Sequence, residues 1–186
     1  MRITEDRYNR DLQRFDLALR MIRHEARTCT IRTWTGLTDD RIRKLYRSYS
    51  EDLGHAVKRR RGKSPSRVGC FVKNLEARRH AAALGALYAI LGLLTKPAPA
   101  PSPGGHGSLN WGERFCRIYE AYLDFNRPHR ISFEHACALL NALQASGELR
   151  AGTCPSCGAF MVIDTLRTRG ADCALCEQAK RGIIPG

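Results

Sequence analysis

"TCPSCGAFMVIDTLRTRGADCALCE", residues 153–177, divides this chain into two kinds of sequence. Cys154, Cys157, Cys173 and Cys176 stand as C-x2-C-x15-C-x2-C, within the spacing of a tetrahedral Zn2+ site built from two knuckles. Each C-x-x-C bend sets two sulfurs on one side of the backbone, and Zn2+ accepts four thiolates without a redox step. The other reading of such cysteines is a redox pair. Pro155 and Gly158 favour a tight turn in the first knuckle, whereas the second, "CALCE", lacks the following glycine. A closed four-cysteine site leaves no position for a water, so the one zinc expected here is structural. Four thiolates around a divalent ion leave a double negative charge, and Arg150, Arg167 and Arg169 are near enough in sequence to offset it. The segment is too short to bury much core, so the metal is expected to supply much of its folding energy. "AFMVIDT", residues 159–165, is the one stretch that reads as a strand.

Upstream, the pattern is helical. Ser132 can cap a helix with Ala136, Leu139, Leu140 and Leu143 on its inner face and Gly147 as its stop. Residues 111–126 are amphipathic, with Trp111, Phe115, Ile118 and Tyr122 on one face. "KPAPAPSPGGHGS", residues 96–108, is a Pro/Gly linker that cannot continue a helix. Residues 70–94 predict one long apolar helix. Residues 51–69 form a loop carrying Lys58, Arg59, Arg60, Arg61, Lys63 and Arg67. Residues 8–50 read as helical with Phe15, Leu19 and Ile22 on a face, least firmly over the Thr-rich 26–35. The expected fold is mainly α: a helical region with a helix-turn-helix-like segment and basic loop (1–95), the linker (96–108), a helical pair (109–150) and a zinc-binding module with tail (151–186).

Composition narrows the class. Of 186 residues 43% are hydrophobic, so a folded core is expected. A net charge of +13 and a pI near 9.8 point to a polyanionic partner. The N-terminus is charged throughout and predicts no signal peptide, and the nearly apolar run 81–94 is too short for a membrane span. A cytoplasmic chain follows as the expectation, in which eight cysteines are unlikely disulfide partners. Cys29, Cys70, Cys116 and Cys137 then read as small buried hydrophobes.

"TGLTDDRIRKLYRSYS", residues 35–50, carries the nucleic-acid question. Gly36 suits a turn with positive φ, Thr38 can cap the next helix, and Asp39 and Asp40 suit its first turn. Ile42, Leu45, Tyr46 and Tyr49 share an apolar face; Arg41, Arg43, Lys44 and Arg47 lie elsewhere. This fits either the second helix of a helix-turn-helix or an ordinary capped helix. Arg32 stands where the former usually has a small residue. The basic loop reads as a solvated charge run or as phosphate contacts.

Catalytic motifs fail. "RGKS" at 61–64 lacks the glycine at position 57 and the preceding strand of a phosphate-binding loop. No H-x-E accompanies the cysteines, as a zinc deaminase would need, and the six histidines show no ligand spacing. The expectation is a non-enzyme.

The order of "LTDDRIRKLYRSY", a basic Pro-containing loop, "FVKN", a long apolar helix, "ALLNALQASGELRAGTCPSCGAFMV" and "CALC" resembles the FlhC family of flagellar transcriptional activator subunits. The resemblance covers most of the chain; the 96–108 linker departs from it. It implies a cytoplasmic subunit of a hetero-hexamer, four FlhD-type subunits with two of this chain, that binds promoter DNA of flagellar operons and recruits RNA polymerase. It implies one Zn2+ on Cys154, Cys157, Cys173 and Cys176. Asp39 and Asp40 would repel phosphate, so the expected DNA contacts are Arg43, Lys44, Arg47, Lys58, Arg59, Arg60, Arg61, Lys63 and Arg67. Partner-facing apolar surface is expected around Trp111, Phe115 and Tyr119. The other class of function is a zinc-ribbon protein-interaction adaptor without sequence-specific DNA binding.

Overall fold

Glu25 takes a left-handed φ of 55° and breaks the N-terminal helical sequence into two helices. The first, α1 (Arg2–Arg23), buries Leu17, Ala18, Met21 and Ile22 completely. Of the expected face only Ile22 is buried; Phe15 and Leu19 are half-buried, because the inward stripe runs i, i+1, i+4, i+5. The computed structural model describes residues 2–54, 57, 60, 62, 65, 67–94, 106–166 and 172–182, with side chains from Tyr8 onward and, in the later helix, from Ser108.

The Thr-rich stretch does form a helix, α2 (Thr28–Thr35), closed by Gly36 at φ 68°, whose N–H donates to the Arg32 carbonyl at 2.8 Å. Thr35 is fully buried and makes the turn: its hydroxyl donates to the Ile31 carbonyl at 2.7 Å and accepts the Leu37 N–H at 3.2 Å. Arg32 is exposed, so a large residue there obstructs nothing. Thr38 caps α3 (Asp39–Asp52) by accepting the Arg41 N–H at 3.4 Å. Ile42 and Tyr46 fix α3 to the core, and the Tyr46 hydroxyl donates to the Ala26 carbonyl.

A 3-10 turn (Val68–Phe71) precedes α4 (Leu75–Ile90). The single helix expected over 70–94 is therefore shorter at both ends. Asn74 caps it by accepting the Ala77 N–H at 2.8 Å, and Gly92 at φ 71° follows its end. The linker expected at 96–108 falls on 96–105, outside the described residues, and on 106–108, which belong to α5 (His106–Phe125). Trp111, Phe115, Ile118 and Tyr122 are all buried, as their spacing predicts. Tyr119 is buried too, so the surface expected around Trp111, Phe115 and Tyr119 is interior. Ser132 caps α6 (Phe133–Ala145) and Ala136, Leu139, Leu140 and Leu143 face inward. Ser146, at φ 50°, takes the terminal left-handed position expected of Gly147.

β1 (Leu149–Thr153) and β2 (Phe160–Asp164) pair antiparallel with Leu149 opposite Asp164 and Thr153 opposite Phe160, and α7 (Ala174–Lys180) is the last helix among the described residues. The chain is thus mainly helical with a C-terminal cysteine cluster. No helix among the described residues is long and apolar enough to cross a membrane. Of the other cysteines only Cys116 is buried; Cys29 is exposed, and Cys70 and Cys137 are half-buried. None of the described cysteines forms a disulfide.

Compact units gather non-consecutive segments: Met1–Lys63 with Ala98–Arg117, and Ser64–Pro97 with Ile118–Gly186. In the first, Trp34 meets Phe115 edge-on at 5.0 Å, and Arg20 pairs with Glu113 at 2.5 Å. In the second, the Tyr88 hydroxyl donates to the Ala136 carbonyl at 2.9 Å, and the Tyr119 hydroxyl to the Ile131 carbonyl at 3.1 Å. There β2 lies on α4 closely enough that a Cβ on Gly85 would come within 2.6 Å of the Phe160 ring.

Candidate functional site

Backbone geometry builds the metal centre. In the first knuckle the Gly158 N–H donates to the Cys154 carbonyl at 2.9 Å, and the Cys154 N–H to the Ala159 carbonyl at 2.8 Å. Gly158 supplies the left-handed φ of 71° that closes this bend. The second knuckle needs no glycine because it opens a helix. Cys173 is the N-cap of α7, and its sulfur accepts the Cys176 N–H at 3.4 Å.

The four sulfurs lie within 4.8 Å of one another, with Cys157 to Cys173 at 3.6 Å and Cys154 to Cys176 at 4.0 Å. A tetrahedron of metal–sulfur bonds of about 2.3 Å has edges of about 3.8 Å, so the four cysteines are close enough to hold one metal ion. Cys154 and Cys173 are buried, with Met161 and Ile163 packed beside them. The Cys173 N–H, 3.3 Å from the Cys154 sulfur, helps lower that thiol to about 6. Hydrogen bonds with Cys157 and Cys173, together with burial, push Cys176 up to about 12. Sulfurs packed this tightly do not all shed their protons unaided; a bound cation removes the conflict.

Two of the three arginines expected to offset the thiolates fall where the structure says nothing of them. Arg167 and Arg169 lie outside the described residues, and Arg150 is exposed on β1. The second knuckle is held by Arg78 of α4, whose guanidinium donates to the Asp172 carbonyl and pairs with Glu177. Asp172 also accepts from Ser156 and pairs with Lys180. Lys180 is raised above the ordinary ammonium range, first by Asp172, with Cys176 and Cys154 adding to it. Arg78 was not legible as a site residue because it lies 94 to 99 positions from its partners.

The expected DNA contacts divide. Arg43, Lys44 and Arg47 are exposed on α3, opposite the buried Ile42 and Tyr46. Arg43 pairs with Asp40 at 3.1 Å, and neither Lys44 nor Arg47 pairs with a described acid. Arg60 pairs with Glu25 at 2.6 Å, and Arg67 is exposed in the second unit. Lys58, Arg59, Arg61 and Lys63 lie outside the described residues. Sequence reasoning missed Arg27 and Arg32, which line a cleft of about 270 Å³ with Arg60 and the start of α2. Only the fold brings residues 27, 32 and 60 together.

Comparison with protein-family models finds no match, and comparison with curated proteins finds none either.

Proposed function

We propose that this chain is a DNA-binding transcriptional activator subunit of the FlhC type. It would act in the cytoplasm with an FlhD-type partner, four of those subunits with two of this chain, at flagellar operon promoters, where the assembly recruits RNA polymerase. One observation carries the reading: α2 and α3 are joined by a three-residue turn, and α3 keeps Ile42 and Tyr46 in the core while holding Arg43, Lys44 and Arg47 outward, in a chain of net charge +13. Such side chains meet backbone phosphates, which sets register and makes binding salt-dependent without reading bases. The cleft of Arg27, Arg32 and Arg60, which Asp39 also lines, lies in the same unit. The ion on Cys154, Cys157, Cys173 and Cys176 is read as Zn2+, since closed sets of four thiolates favour it. It would hold the β-hairpin and α7 together and supply no chemistry.

The test replaces Lys44 and Arg47 by alanine. Each lost phosphate contact reduces the slope of log affinity against log salt by about one, so a reduction of about two is expected with little change in preference between sequences. An unchanged slope contradicts the reading.

A second reading, the zinc-ribbon adaptor, has its own observation. Arg32 pairs with Asp39, Arg43 with Asp40 and Arg60 with Glu25, so acids already offset part of the basic surface. That reading predicts no sequence preference on DNA.

A further inference from the structure

The two knuckles of the metal centre are fixed in different ways. The first, residues 154–159, is the turn of the β1–β2 hairpin, and its bend closes on its own backbone through Cys154, Gly158 and Ala159. The second has no such frame. It opens α7, a helix of seven residues, and isolated helices shorter than about 12 residues are marginal in water. Tertiary contact must hold it in place, and α7 packs on α4.

Arg78 makes that contact specific. Its guanidinium donates to the Asp172 carbonyl and to the Glu177 carboxylate. Residues 172 and 177 are the outer chain neighbours of Cys173 and Cys176, so one planar fork brackets both sulfur ligands of the second knuckle. The neighbouring cations do less. The Arg78 side chain is 12% exposed, against 57% for Arg181 and 67% for Lys180, and exposed ion pairs contribute little. Two turns further along the same face of α4, Gly85 receives the ring of Phe160, the residue directly after the first knuckle. One helix therefore seats both halves of the site.

We propose that α4 is the template of the metal centre and that Arg78 is a positioning residue for the ion: it places Cys173 and Cys176 and so sets how tightly the metal is held, without ligating it. The proposal rests on a metal ion occupying the four cysteines. Groups that orient metal ligands from outside the ligand set carry about tenfold to a hundredfold of metal affinity. A bond that merely adds stability to the unit predicts something else, the same loss of affinity from any equally destabilising change nearby.

The test uses the full chain loaded with Co2+, whose thiolate charge-transfer absorption reports the four-sulfur site, and titrated with a competing chelator. Competition with Zn2+ then gives the Zn2+ affinity. Arg78→Met is expected to weaken binding of both ions by about tenfold or more. Arg78→Lys keeps the charge but loses the fork, so it recovers no more than part of that loss. Tyr88→Phe is the control for stability: it removes the buried bond to the Ala136 carbonyl on the same helix and touches neither knuckle. Its denaturant midpoint falls, while its metal affinity stays within about twofold of wild type, as independent sites require. Unchanged affinity in Arg78→Met, full recovery in Arg78→Lys, or an equal loss in Tyr88→Phe at a matched drop in midpoint overturns the inference alone. A wild-type chain that takes up neither ion overturns the metal reading and the inference with it.

Discussion

Glu177 is gripped from two elements, by Arg78 of α4 and by Arg181 just past the end of α7 at 2.6 Å. The Arg78 guanidinium holds its carboxyl below the usual carboxylate range. A depressed folded pKa stabilises the fold above the unfolded pKa, and that stabilisation is lost as pH falls through the folded value. Glu177→Gln is therefore expected to be less stable than wild type at pH 7. The difference should shrink below about pH 4.3, the ordinary glutamate pKa. Denaturant midpoints of both proteins at a series of pH values measure it. Gly85 shows the same dependence on a distant neighbour. Gly85→Ala places a methyl carbon 2.6 Å from Phe160, and overpacking of this kind costs about 1–3 kcal/mol, read as a shift in the same midpoint.

Helix ends and short-range spacings were legible in the sequence wherever the signal is local. Thr38 and Ser132 cap where their positions predict, and the cysteine spacing brings four sulfurs together. Such signals work because a cap or a knuckle is decided within four residues. Asn74 was equally local but lay inside an apolar run that read as continuous helix. β1 carried no strand pattern: Leu149 is buried, but the strand includes exposed Arg150 and a glycine, and it exists because β2 pairs with it. Arg78 and the Arg27–Arg32–Arg60 cleft were not legible, since each acquires its role from residues far away in sequence. At this scale the α2–α3 turn makes a sharp prediction. Gly36→Ala forces a Cβ into a left-handed position at φ 68° and is expected to cost about 1 kcal/mol. Thermal unfolding of the variant checks it.

The metal module is not a separate bead on the chain. β2 lies on α4 through Phe160 and Gly85, and α7 is tied to α4 through Glu177 and Arg78, all within one compact unit. Metal removal is therefore expected to expose the backbone of β1, β2 and α7 and part of α4, while α1, α2 and α3, in the other unit, keep their protection. Hydrogen exchange by mass spectrometry, with and without a thiolate-competing chelator, distinguishes this from a loss confined to residues 149–180. The two units also divide the proposed roles, with the outward basic helix in one and the metal centre in the other. The proposed activity belongs to an assembly, so it is best measured on one. The decisive titration is of this chain, alone and with an FlhD-type subunit, against a flagellar promoter fragment and a scrambled fragment at two salt concentrations. A preference for the promoter that appears with the partner and weakens with salt is the predicted result. Equal binding to both fragments, or binding to neither in any combination, contradicts it.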